Sequence, residues 1–259
     1  MKTPTLSKRI LFLVSSIITV LLLPTVRAAE PAAPDAARIL REMSTTLAGA
    51  GQLSFKATRH TDAGLIMGRD MPEDVKIEVL AQRPNKIVVE SVGPDSARSF
   101  YADGRTATLV DRKMNFYAIV PMKTTIDGLV AQLDARFGFT PPLADFLVSN
   151  PYKGMSKQIK KSSVTGTEWV AWTKCYRLAL VGELADADLW VGVKDHLPRR
   201  LVATFKKHDG SPQLRVNFSS WNLVAAASDK NFVFIPPQGA QKIAMVSIAD
   251  SGKAHRKSN

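Results

Sequence analysis

The chain has 259 residues, 45% hydrophobic and 22% charged, so it is long enough for a packed core and too apolar for a disordered polymer. One cysteine excludes an internal disulfide framework and a cysteine-rich metal module. A formal charge of +12 suits anionic partners.

The first element is an export signal. Lys2, Lys8 and Arg9 precede an apolar run, Ile10 to Leu23, broken only by Ser15, Ser16 and Thr19. Pro24 ends the run, and Val26-Arg27-Ala28 offers the small side chain a signal peptidase requires. The run falls short of the roughly 20 residues that span a bilayer, so it reads as a cleaved signal rather than an uncleaved anchor. Cleavage after Ala28 is expected, with a mature chain in the periplasm. No cysteine at that site offers a lipid anchor, and the compartment excludes nucleic acid as a partner. Losing Lys2, Lys8, Arg9 and Arg27 takes the charge from +12 to near +8 (12 − 4). The basic surface is either simply solvated or drawn peripherally to anionic membrane headgroups.

Residues 29–34 form a Pro/Ala linker, 35–248 a single expected domain, and 249–259 a basic tail expected to fray. Asp35 opens a helix whose apolar stripe is Ala36, Ile39, Leu40, Met43 and Leu47, and Gly49 and Gly51 are expected to end it in a left-handed turn. The period then changes to two. Strands are predicted around Leu53–Ala57, Val75–Val79, Ile87–Val92, Ser99–Ala102, Arg105–Val110 and Asn115–Val120, with turns at Arg83-Pro84-Asn85, Gly93-Pro94-Asp95 and Asp103-Gly104. Gly64 to Gly68 reads as an ordinary hairpin connection or a mobile apolar flap. Thr124 or Thr125 caps a second helix with the stripe Ile126, Leu129, Val130, Leu133 and Phe137, stopped by Gly138. Thr140 with Pro141 opens a third, faced by Leu143, Phe146 and Leu147 and closed at Asn150-Pro151. Strands resume at Lys157–Val164, with a Thr165-Gly166 turn, then Thr173–Val181, Asp188–Val193, Arg200–Lys206 and Leu214–Leu223. Phe232 to Ile248 is less regular, and Pro236-Pro237 bars a central strand there.

About eleven strands and three amphipathic helices imply a mainly β fold with α: an unclosed antiparallel β-barrel whose open side is plugged by helices, leaving an apolar seam. Catalytic patterns are sparse. His60, His196, His208 and His255 lack metal-ligand spacing, so no metal or cofactor is expected. No nucleophile elbow or phosphate loop occurs, and Cys175 sits inside an alternating strand as a buried thiol. Asp186 and Asp188 share a strand face and read as a solvated edge rather than a hydrolytic pair. Trp169, Trp172, Trp190 and Trp221 read mostly as packing residues.

Tyr101-Ala102-Asp103-Gly104, Thr125-Ile126-Asp127, Pro142-Leu143-Ala144-Asp145, Leu189-Trp190-Val191, Leu197-Pro198-Arg199-Arg200, and Phe232-Val233-Phe234 followed by Pro236-Pro237 and Gly239-Ala240 stand in an order that resembles a predicted periplasmic domain-of-unknown-function family. So does Cys175 with Leu178-Ala179. That family is similar in fold to the lipoprotein carriers LolA and LolB and to the amino-terminal domain of RseB. The resemblance implies the same LolA-like open barrel and an apolar cavity; it implies no activity. Leu129, Val130, Leu133, Phe137, Phe146 and Leu147 are the expected cavity lining. Three functions remain open: a carrier for a lipid, acyl chain or lipoprotein; a sensor or envelope-assembly scaffold that binds a protein partner; and an exported hydrolase, for which no residues are assigned.

Overall fold

The computed structural model describes residues 35–65 and 73–249. The expected signal peptide and linker, and all of the basic tail beyond residue 249, lie outside the described residues, as do most of the Gly64–Gly68 connection and His255. Among the described residues no helix is long and apolar enough to cross a membrane.

Twelve strands form one sheet in the order β12-β6-β5-β4-β3-β2-β1-β11-β10-β9-β8-β7. Its two edges, β7 (Ile159–Val170) and β12 (Gln241–Lys242), do not pair with each other, so the barrel is open. Eleven of these strands form antiparallel neighbours, and β12 adds a short parallel pairing to β6 (Phe116–Pro121), Gln241 opposite Phe116.

Helix α1 (Ala36–Gly49) lies over one face of the sheet. Asp35 caps it by accepting from the N–H groups of Ala37 and Arg38, and all five residues of its predicted stripe are buried. Its end differs from expectation. Ala50 is extended at φ −77°, ψ 115°, and neither Gly49 nor Gly51 is left-handed. The chain runs straight into β1 (Gln52–Thr61), and Arg83 instead serves the helix carbonyls, donating to Leu47 and Ala50 at 3.1 Å each. The same guanidinium donates to the carbonyl of Leu147, binding α1 to the segment before α3.

The inward positions of the sheet follow the pleat. Phe55 of β1, Val79 of β2 (Glu73–Gln82), Val89 of β3 (Lys86–Val92), Phe100 of β4 (Ala97–Ala102) and Leu109 of β5 (Thr106–Asp111) form one register row. Beyond β1, β11 (Gln213–Asn222) contributes Phe218 and Trp221, whose rings pack on Phe55 at 5.9 and 4.3 Å. The core extends through β10 (Pro198–Phe205) and β9 (Ala185–Gly192) to Leu178 of β8 (Thr173–Gly182).

Helix α2 (Ile126–Phe137) is capped by Thr125, and Gly138 stops it at φ 61°. The third helix is displaced from its expected place. Residues 140–148 contain only one 3-10 turn, Ala144–Phe146, preceded by Leu143 at φ 62°. Two successive prolines, Pro141 and Pro142, remove two donors and push Pro141 away from helical geometry. Asn150-Pro151 opens α3 (Pro151–Gln158) rather than closing a helix: the Asn150 side chain accepts from Lys153 N–H at 2.9 Å and Pro151 takes the first position. The strand expected from Lys157 therefore starts at Ile159. Thr165-Gly166 is not a turn but a bulge in β7; the chain reverses at Ala171-Trp172.

Candidate functional site

A cavity of about 210 Å³ opens between the covered face of the sheet and the segment that follows α2. Its apolar floor is Val75, Val89, Phe100 and Leu109, one side chain from each of four adjacent strands. Its roof is Phe139, Thr140 and Pro142. Gly138 places that roof. Its left-handed conformation lets Gly138 N–H bond to Asp134 O and Phe139 N–H to Leu133 O, which reverses the chain off the helix. Phe139 then drops onto Phe100, ring centroids 6.0 Å apart.

The other end of the cavity is charged. Arg59 of β1 lies 3.5 Å from Glu73 at the start of β2, and Ser96 Oγ donates to Glu73 at 3.2 Å. Arg98 of β4 lies at the rim, 3.6 Å from Asp111. The Arg59 Nε–H is buried and finds no acceptor among the described residues. Burial pulls the Arg59 pKa down, Glu73 pushes it up, and Arg98 pulls it down again. An arginine nevertheless stays charged, so this end holds a cation with donor capacity to spare. The cavity thus places a hydrocarbon floor beside a guanidinium with an unmatched donor.

The six residues expected to line a cavity sit elsewhere in the same layer. Leu129, Leu133, Phe146 and Leu147 are buried in the main core, and Val130 and Phe137 pack half-buried against it. Phe146 meets Phe218 edge-on at 5.0 Å. The cavity lies beside them, and its own lining was not anticipated. One signal did exist: Arg59 and Arg98 fall on inward registers where Ala57 and Phe100 lead the pattern to expect apolar residues.

The other chemistry-bearing residues are engaged separately. Among the described residues no three His, Cys, Asp or Glu side chains converge as a metal would require. Cys175 is fully buried, and burial pushes its thiol pKa up, disfavouring the nucleophilic thiolate. Asp188 pairs with Arg177 at 3.2 Å and Asp186 with Lys206 at 2.8 Å. Both lie on β9, a strand flanked on both sides, not at a sheet edge. His60 sits between Asp62 and Asp74, at 3.2 and 2.8 Å. Of the tryptophans, Trp190 is buried and Trp221 half-buried, but Trp169 and Trp172 are exposed rather than packed.

Residues 36–246 match the family of predicted periplasmic proteins designated DUF2092. The chain belongs to that family. No curated protein matches this DUF2092 chain. Among solved structures it is similar to an uncharacterized conserved protein from Thermus thermophilus, at 14% identity over 81% of this chain and 98% of that one, with a TM-score of 0.51. A LolA superfamily protein from Nitrosomonas europaea is 12% identical over 78% of this chain and 99% of that one, with a TM-score of 0.35. The Pseudomonas aeruginosa MucA/MucB complex is 14% identical over 77% of this chain and 60% of that one, with a TM-score of 0.42. At these identities the Thermus likeness is one of fold alone.

Proposed function

We propose that this DUF2092 chain is an exported, non-enzymatic binding protein that takes up the acyl chain of a lipid or lipoprotein between its sheet and its helices. The observation that carries the reading is the 210 Å³ cavity with its apolar floor and its under-satisfied Arg59. The hydrocarbon would meet Val89, Phe100 and Leu109, and an acidic head would meet Arg59 and Arg98. The volume is below the roughly 300–1,000 Å³ of ordinary ligand pockets, so a whole acyl chain requires the roof to lift. Lifting would extend the space toward Leu129, Val130, Leu133, Phe137, Phe146 and Leu147, which then become the deeper wall. Burying about six methylenes contributes roughly 5 kcal/mol, equivalent to a dissociation constant between about 1 mM and 1 µM before the head group is counted.

Export supports the reading, since the family is described as periplasmic and the amino terminus has the signal layout; cleavage after Ala28 is part of the proposal. Intact-mass measurement of the periplasmic protein is expected to show a chain beginning at Ala29. The ligand is tested by organic extraction of protein purified from its native envelope, followed by lipid mass spectrometry. One acyl lipid per chain is expected; protein that carries none and binds no fluorescent fatty acid refutes the proposal. A second reading, a scaffold that binds a protein partner, is favoured by β7. This edge strand runs 12 residues with no strand on its outer side among the described residues, a template for strand addition. Pull-down from envelope extract with and without a proline in β7 separates the two readings.

A further inference from the structure

The β7–β8 hairpin ends in an arrangement that no contact among the described residues explains. Val170 pairs with Thr173, so the turn is the two residues Ala171 and Trp172. Both are left-handed, at φ 43° and 64°, where asparagine and glycine are the usual occupants and a bulky side chain meets its own backbone. Trp172 is 97% exposed and Trp169 72% exposed, so neither ring gains packing in return. Such strain clusters at functional sites, so an exposed tryptophan held in it is a candidate for surface recognition.

The tip is also braced and cationic. Just below it, Val170, Cys175 and Trp190 form a buried cluster on the face away from the helices. The Trp190 indole donates to Glu168 at 2.8 Å, and the guanidinium groups of Arg177 and Arg200 lie 5.1 and 5.6 Å from the Trp190 ring. Glu168 is matched by Arg177, and Asp195 by Arg199. Lys174 stands opposite Trp169 in the ladder, and its carbonyl accepts from Val193 N–H at 2.9 Å, which brings the Lys194 turn alongside. Both lysines are exposed, and neither forms an ion pair with a described residue. Two presented tryptophans flanked by two free ammonium groups match the headgroup layer of an anionic bilayer, where an indole ring is half in hydrocarbon and a lysine meets phosphate.

We propose that this hairpin tip docks the protein on anionic membrane surfaces, seating Trp169 and Trp172 among the headgroups with Lys174 and Lys194 on the phosphates. The proposal stands independently of the acyl cavity. The test is co-sedimentation of the periplasmic protein, its processed amino terminus confirmed by mass, with vesicles of equal parts phosphatidylglycerol and phosphatidylcholine. The wild type is expected to bind these vesicles, with a blue shift in tryptophan emission, and to bind pure phosphatidylcholine vesicles less. The W169S/W172S variant is expected to lose the blue shift and about tenfold or more in partitioning, and K174Q/K194Q about tenfold on anionic vesicles only. All four positions are exposed, so both variants should unfold at the wild-type urea midpoint. A wild type that ignores vesicles, or a W169S/W172S variant that binds them within about twofold of it, overturns the proposal. So does a tip that captures a soluble envelope protein while ignoring vesicles. Fatty-acid binding by W169S/W172S is expected to be unchanged, so failure of docking and failure of the cavity reading are read separately.

Discussion

Arg83→Met is expected to loosen three elements at once. In the folded protein the guanidinium donates to the carbonyls of Leu47, Ala50 and Leu147, so one side chain closes the end of α1 and fastens the segment before α3. Burial pulls the Arg83 pKa down and Asp127 pushes it up; the group remains charged and its bonds are charge-assisted. Hydrogen bonds to charged groups contribute about 1.5–3 kcal/mol each, and carbonyls that recover water on mutation return part of that. Half of the gross sum over three bonds leaves an expected loss of about 2–4.5 kcal/mol, a large fraction of the roughly 5–15 kcal/mol that holds a domain. Methionine keeps the aliphatic stem, so lost packing is a small part of the effect. Lysine keeps the charge and can reach one carbonyl, so Arg83→Lys should fall between wild type and Arg83→Met. Urea unfolding at neutral pH measures all three, with unchanged slopes showing that the comparison is of stability alone. A loss below about 1 kcal/mol for Arg83→Met, or a lysine variant as stable as wild type, would refute the bridging role.

Three further outcomes are expected. Gly138→Ala should cost about 1–2 kcal/mol in urea unfolding, because the backbone is left-handed there while the added Cβ meets only Ile248 Cδ1 at 3.4 Å. Val89→Phe should fill the cavity floor, abolish fluorescent fatty-acid binding and cost about 1–3 kcal/mol from overpacking; undiminished binding would place the ligand elsewhere. Asp103 accepts from the N–H groups of Arg105 and Thr106 at 2.8 and 2.7 Å. Burial acts to raise its carboxyl pKa, but those bonds outweigh it and hold the pKa below the usual value. The carboxylate therefore contributes stability above the unfolded pKa near 4, which is lost as pH falls through the lower folded value. The stability gap between wild type and Asp103→Asn, measured in urea, should be full at pH 7 and shrink below about pH 4; a gap that persists there contradicts the assignment.

Local patterns carried much of the architecture. The α1 stripe, its Asp35 cap, the Thr125 and Gly138 limits of α2 and the eleven long strands all follow from periods of 3.6 and 2 and from short-range donors and acceptors. The errors cluster where one motif has two meanings. An Asn-Pro pair can end one helix or begin the next, and the choice depended on the two prolines at 141–142. A Thr-Gly pair in a strand can turn or bulge, and β8 decided for the bulge by continuing to pair as far as Val170. The cavity was further out of reach, because Val75, Val89, Phe100, Leu109 and Phe139 are joined only by cross-strand register and one helix reversal.

From the linear chain alone come the expectation of an export signal, the absence of a disulfide framework, the alternation that builds an antiparallel wall and the amphipathic stripes that cover it; each depends on neighbours within a few residues. Tertiary structure alone decided that an unsatisfied Arg59 abuts a hydrocarbon floor, that Arg83 joins carbonyls from two distant segments, and that Trp169 and Trp172 stand in solvent while Trp190 is buried. Burial and hydrogen-bond satisfaction are properties of surroundings, and those surroundings are assembled by strand pairings between residues far apart in the chain.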